Sequence, residues 1–310
     1  MAVRTLIRMS ALTVVAAVTA TALVACSSGS SPAPASTSSG SAAGLPQPKY
    51  DKAVYDMLPA SVKSAKVLKL ATVPLPPYAY KAADGTTELG LNVDMVAALK
   101  KVLGINVTLD VAPAISDVYT GMTSGKYDAN ISPLSDIPAV EANYDFADWL
   151  AEYVVFIQQK TAKTKITSLT SACGHTIATL QGGTAQTVLT NANKSCSKPI
   201  TIALFQDQDS AILAVKSGRA DAAFSSQIPL TYYVKNDSTL TLSGANSTKN
   251  GFPPFWVGAS APKGSPLVPA LLAAMSDLKK SGTYTAILKK YGIQENAIST
   301  FGINFGTKKS

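Results

Sequence analysis

Histidine is almost missing from this chain of 310 residues, and His175 with three cysteines leaves no Cys/His ligand set for a metal. The same scarcity leaves no Ser/His/Asp or Cys/His arrangement, and no pair of carboxylates stands out as a general acid and base. No enzymatic activity, cofactor or metal is therefore expected. Charge is sparse as well, at 15% of residues, although lysine and arginine outnumber the acids by 27 to 19 for a net charge of +8. The lysines are scattered, in nothing longer than pairs such as Lys279-Lys280, Lys289-Lys290 and Lys308-Lys309. Nucleic-acid binding would concentrate them beside aromatic residues, so solvated helix faces are expected and no nucleic-acid partner.

Long apolar runs are also lacking, save one at the N-terminus. Residues 11–25 form an apolar, alanine- and threonine-rich stretch behind Arg4 and Arg8, too short for a comfortable membrane span. It ends in Leu23-Val24-Ala25-Cys26, which resembles the bacterial lipobox. Residues 1–25 are expected to be a lipoprotein signal peptide, with cleavage before Cys26 and lipid on its thiol. Residues 26–50 are expected to be the lipidated cysteine and a flexible tether, because Ser, Ala, Pro, Gly and Thr cannot bury enough surface to offset their ordering entropy. The mature chain would then be extracytoplasmic, anchored to the cell membrane by its lipid. Cys173 and Cys196 remain, an even pair in an oxidising compartment, and a disulfide between them is expected.

The body alternates strand and helix. The run Val67-Leu68-Lys69-Leu70-Ala71-Thr72-Val73 reads as a buried strand, broken by Pro74, Pro76 and Pro77. Residues 92–103 carry the apolar spacing of an amphipathic helix before Gly104, and 105–111 read as the next strand. The alternation returns with strands at 153–157, 176–179, 200–205 and 220–224 and helices at 184–191 and 210–217. Two such units predict an α/β protein of two lobes, with ligand held outside the carboxyl ends of the strands.

Several motifs then appear in one order. Leu58-Pro59 and the first strand precede Pro76-Pro77-Tyr78. Gly90-Leu91-Asn92-Val93-Asp94-Met95 follows, then Ser124-Gly125-Lys126-Tyr127-Asp128 and Asp145-Phe146. Further on stand Cys173-Gly174-His175-Thr176-Ile177-Ala178, Gly182-Gly183-Thr184-Ala185-Gln186 and Ser217-Gly218-Arg219-Ala220-Asp221-Ala222, with a closing segment at 278–292. From about Pro59 onward the chain resembles the extracellular solute-binding proteins of amino-acid ABC importers, family 3, in their actinobacterial form. The resemblance implies a two-lobed, type II periplasmic-binding-protein-like fold with two hinge strands, near Val154–Gln159 and Phe255-Trp256-Val257. Residues 51–155 would form the first part of lobe 1, 156–254 lobe 2, and 255–310 the return to lobe 1 and the C-terminal tail. The second hinge strand is expected to run from Phe255 to Ala261, and the resemblance further implies a monomer that captures a small polar solute and delivers it to ABC permease subunits.

The pattern departs from the family where an amino acid is usually anchored. The arginine that takes the ligand carboxylate falls on Val140, and the aspartate that takes the ammonium group falls on Ser226. A third polar anchor would be Thr72 or Val73, and the aromatic that covers the ligand becomes Ile115. Losing a buried charge partner costs about 3–5 kcal/mol, so an ordinary α-amino acid is not expected to be held in the usual way. The expected ligand is a small polar nitrogenous solute, an amino acid or a compound like one. The alternative is a sensing or interaction lipoprotein that has lost amino-acid binding. Expected ligand-binding residues are Tyr78, Ile115, Ser132, Ser135 and Asp136 in lobe 1, and Gln181, Gly183, Thr184, Ser226 and Gln227 in lobe 2. Gly183 and Thr184 open a helix whose N–H groups suit a carboxylate without any arginine. Packing is weighed beside ligand contact for Tyr78, and turn capping for Asp136.

Overall fold

Apolar side chains that alternate along short strands, and recur every third or fourth residue along helices, sort this chain into two sheets with helices on both faces. The computed structural model describes residues 44–244 and 254–308. The expected signal peptide, Cys26 and most of the tether lie outside the described residues.

Two short helices, α1 (Lys52–Asp56) and α2 (Ala60–Ala65), lead into β1 (Val67–Thr72) and a small hairpin of β2 (Tyr80–Lys81) and β3 (Glu88–Leu89). Gly90 then opens α3 (Leu91–Leu103) at φ 135°, where a Cβ would stand 2.3 Å from the Tyr78 carbonyl. That close approach lets the carbonyls of Pro77 and Tyr78 accept the N–H groups of Leu91 and Asn92, at 2.8 and 2.9 Å. Gly104 ends α3 in the left-handed region. There follow β4 (Asn106–Val111), α4 (Ile115–Thr123), β5 (Ala129–Asn130), β6 (Ser135–Asp136), α5 (Pro138–Glu141) and β7 (Tyr144–Glu152).

Only Tyr153 separates β7 from β8 (Val154–Gln159), which belongs to the second sheet. This sheet continues with β9 (Thr176–Leu180), α6 (Thr184–Asn193), β10 (Thr201–Phe205), α7 (Gln208–Lys216), β11 (Ala222–Ser226), α8 (Gln227–Asn236) and β12 (Leu240–Ser243). The chain rejoins the first sheet as β13 (Phe255–Pro262), followed by α9 (Leu267–Lys280), α10 (Thr283–Tyr291), β14 (Ala297–Ile303) and α11 (Phe305–Lys308).

Seven strands make the first sheet, in the order β14-β7-β13-β5-β1-β4 with β6 on β13, and five make the second, β10-β9-β11-β8-β12. β8 shows why the second lobe needs cover on both faces. Val154 and Phe156 pack under α6 with Phe224, while Val155 and Ile157 pack under α7 with Ala178. In the first lobe Leu68 and Leu70 of β1 meet α3, α9 and α10, and α4 closes the opposite face through Val118 and Met122. A disulfide joins Cys173 to Cys196, with their Cα atoms 5.4 Å apart, and ties the entry of β9 to the chain beyond α6.

Both tryptophans pack against aromatic rings of the first lobe. Trp149 is buried edge-on to Tyr284, and Trp256 meets Phe305 edge-on at 5.3 Å. Asp94, in the first turn of α3, is buried and receives Lys290 at 2.6 Å and the Tyr291 hydroxyl at 2.8 Å, joining α3 to α10. No helix among the described residues is long and apolar enough to cross a membrane.

Candidate functional site

Strand direction brings the candidate residues to one region. β1, β4 and β5 run parallel, and β7 shares their direction because β13 pairs antiparallel with both β5 and β7. The carboxyl ends of these strands therefore lie at one end of the first sheet, the end where Glu152 leads into the second lobe. There β9, β10 and β11 are parallel, and Val154 at the start of β8 pairs with Ser226 at the end of β11. Both sets of carboxyl ends converge on the crossing at Tyr153, where loops and helix N-termini place polar groups.

On the first-lobe side, Thr72 ends β1 and accepts a 2.9 Å hydrogen bond from the Asn92 amide. Ser132 follows β5 and is fully buried, its backbone N–H bound to Asn130 and its hydroxyl without a partner among the described residues. Ile115 opens α4 with nearly half its surface exposed, and Val140 is half-buried in α5. Ser135 lies half-buried on β6, paired with Val257.

Two candidates of this lobe are placed otherwise than a ligand contact requires. The ring of Tyr78 is fully buried, so it offers no face for stacking, and its hydroxyl donates to Glu152 at 3.0 Å. Asp136 is buried under the C-terminal segment and accepts the Gly306 N–H at 2.9 Å. Beside it Asp148 accepts the Phe305 N–H and Glu141 the Thr307 N–H, so three carboxylates receive three successive donors. Burial first, then Asp148 and Glu141 alongside, push the Asp136 carboxyl well above the carboxylate range.

On the second-lobe side, Gly183 is the N-cap of α6 at φ −81° and ψ 162°, and no side chain caps this helix. Gln181 is exposed and its side-chain amide oxygen accepts from the Gln206 amide at 2.7 Å, while the Gly182 N–H donates to the Gln186 side chain at 2.6 Å. Thr184 is half-buried and begins the helix. Ser226 is the half-buried N-cap of α8. Gln227 is fully buried; its amide nitrogen donates to Glu295, its backbone N–H to the Tyr153 carbonyl at 2.7 Å, and its amide oxygen has no partner among the described residues.

No guanidinium among the described residues reaches this region. Arg219, the single arginine among the described residues, is exposed in the turn before β11, at the amino end of that strand, and donates to Ser217. His175 lies at the amino end of β9 against Asp221, 3.3 Å away. A carboxylate arriving at the strand ends would find backbone N–H groups and hydroxyls there.

Glu152 is the residue that reading the sequence missed. It is 1% exposed, its Oε1 accepts the N–H groups of Tyr153 and Ile228 at 3.0 and 3.2 Å, and its Oε2 accepts the Tyr78 hydroxyl. Burial pushes its pKa up to about 7, against the hold of these donors. The available signal was a lone carboxylate inside the apolar run from Trp149 to Ile157. A cavity of about 300 Å³ also opens between the lobes, lined by Tyr80, Leu89, Tyr232, Lys235, Lys290 and Tyr291, and none of the expected ligand residues lines it.

The sequence model of the bacterial extracellular solute-binding proteins, family 3, matches residues 68–294. Over 258 residues the chain is 29% identical to the arginine-binding protein ArgT of Corynebacterium glutamicum, covering 80% of this chain and 81% of that protein. Its fold is similar to that of AbpA, an amino acid ABC transporter substrate-binding protein from Streptococcus pneumoniae bound to L-arginine. The TM-score is 0.64 at 20% identity, over 77% of this chain and 99% of that one. It is also similar to the ancestral amino-acid-binding protein AncCDT-1, a precursor of cyclohexadienyl dehydratase, with a TM-score of 0.63 at 23% identity over 74% of this chain and 97% of that one.

Proposed function

Given that this chain belongs to the bacterial extracellular solute-binding proteins, family 3, we propose that it captures an amino acid or an amino-acid-like compound between its lobes and delivers it to the permease of an ABC importer. In this reading Cys26 carries the lipid that holds it at the outer face of the membrane, and the body acts as a monomer without catalytic activity. The observation that carries the proposal is the convergence of both sets of strand carboxyl ends on one crossing, with buried polar atoms of Ser132 and Gln227 on either side that have no partner among the described residues.

The ligand carboxylate would be received by the uncapped first turn of α6, at Gly183 and Thr184, with Ser132 and Ser135 opposite. Ser226 and Gln227 would take the ammonium group through neutral oxygens. Backbone N–H groups do for the carboxylate what the missing arginine at Val140 does elsewhere, at a lower Coulombic gain. The likeness to ArgT makes L-arginine the first solute to try. A thermal-shift screen of the twenty amino acids, polyamines and betaines tests the reading: a bound solute at 100 times its Kd stabilises the fold by about 2.7 kcal/mol. Stabilisation by an amino acid supports it, and no shift with any of these solutes overturns it.

A further inference from the structure

The hydrogen bonds of Glu152 span the crossing between the two sheets. Its carboxylate binds Tyr78, in the loop after β1 of the first lobe, the crossing residue Tyr153, and Ile228 in the first turn of α8 of the second lobe. That turn also carries Ser226 and Gln227, and Gln227 is fastened to the crossing by its own N–H and to Glu295 by its amide. At this crossing relative movement of the sheets is absorbed around Tyr153, the single residue between β7 and β8, and strains the bonds of Glu152.

We infer that Glu152 is a positioning residue for solute binding, its ionised carboxylate fixing the first turn of α8 against the first lobe, and that proton uptake slackens this hold and weakens binding. The part concerning affinity rests on the solute-binding reading above; the hold itself does not.

The chemistry follows from the geometry. Oε1 already accepts two N–H groups, so an added proton goes to Oε2, and the bond to Tyr78 reverses, with the carboxyl donating to the phenol oxygen. Oε1 then becomes a neutral carbonyl oxygen, and the bonds from Tyr153 and Ile228 lose their charge assistance. The first turn of α8 also loses the negative charge that complements its dipole. The titratable groups facing Glu152 are Tyr78 from the loop, Tyr153 from the crossing and Glu295 from the turn at Gln294–Asn296. Burial pushes both phenols up, and Glu295 adds negative potential beside Tyr153. The Glu152 carboxyl, held near neutrality by its burial, is the group of this set that changes charge as conditions move from mildly acid to mildly alkaline.

The test uses the full chain without solute and then with L-arginine. Amide hydrogen exchange at Tyr153 and Ile228, corrected for intrinsic rates, is followed from pH 5.5 to 8.5. Protection is expected to rise with a midpoint near 7, to stay flat in the isosteric Glu152→Gln variant, and to rise with a higher midpoint in Tyr78→Phe, which removes a donor to the ionised form. Arginine affinity is expected to fall roughly three- to tenfold between pH 8.5 and 5.5 in the wild type, about the loss of one charge-assisted bond, and to be level in Glu152→Gln. A flat wild-type exchange profile, or the same profile in Glu152→Gln, overturns the inference. An exchange midpoint with no arginine bound would leave the hold standing and count against the solute reading alone.

Discussion

The two lobes share one layer plan but stabilise it differently. Each buried carboxylate among the described residues, Asp94, Asp136, Glu141, Asp148 and Glu152, lies in the first lobe or at its exit, while the buried polar side chains of the second are the neutral Gln158, Thr179, Gln208, Ser225 and Gln227. The disulfide, in turn, lies in the second lobe. A larger sheet that must hold several helices and the C-terminal segment uses buried acidic groups to fix them, Lys290 on Asp94 and the 305–307 backbone on Asp148, Asp136 and Glu141. The smaller sheet uses a covalent tie. The first lobe should therefore respond to pH and the second to redox state.

The largest expected effect comes from breaking the covalent side of that contrast. Replacing Cys173 and Cys196 by serine should cost about 3–4 kcal/mol in the chain-entropy account. Hydrogen exchange should show the loss in β9 and α6 and leave β1 and α3 unchanged. Loss spread evenly over both lobes would remove the contrast.

Next comes the pH response. The pKa of Glu152 is raised, so the folded chain keeps a proton that the unfolded chain releases between its ordinary range and about 7. Against the unfolded chain its contribution is complete below the ordinary glutamate range and is lost as pH rises through about 7, amounting to about 3 kcal/mol, whereas the local hold on α8, which opens with Glu152 still buried, tightens over the same range. Asp136 acts in the same direction, its proton being lost at higher pH. Asp145 acts oppositely: burial raises its pKa, but Asn304, Lys263 and Gly264 outweigh that and hold it low, so its contribution is lost only in acid. Urea unfolding of wild type and Glu152→Gln from pH 5 to 8 should show a slope in the first that is reduced in the second.

A smaller effect sharpens the same comparison within the first lobe. Asp94→Asn keeps the shape and removes the charge that Lys290 meets, for an expected loss of about 2 kcal/mol, measurable by urea unfolding. The loss should be the same with the disulfide intact or reduced.

Most of the architecture was legible in the sequence, because strands such as Val67–Thr72 and helices such as Leu91–Leu103 announce themselves by local apolar spacing. The strand-end loops at Ser132, Gly183 and Ser226 were legible too, through motifs of fixed spacing. What the sequence hid were partners distant along the chain. Asp136 reads as a loop residue until Gly306, 170 positions away, is folded onto it. Tyr78 reads as a ligand platform until Glu152, 74 positions away, takes its hydroxyl and the core takes its ring. Composition shows that a carboxylate or a phenol is present, whereas its direction is fixed by tertiary packing.

Calorimetric titration of L-arginine into the wild type and into Thr184→Pro tests most directly that solute is held between the strand ends of the two lobes. Proline suits the first position of a helix, and Gly183 already has the extended backbone that a following proline requires, so the variant removes one N–H and the Thr184 hydroxyl from the mouth of α6 and keeps the helix start. The account predicts saturable binding by the wild type and affinity at least about tenfold weaker in the variant, with thermal unfolding unchanged. Binding that Thr184→Pro leaves intact, or a wild type that binds neither arginine nor any other amino acid, would contradict it.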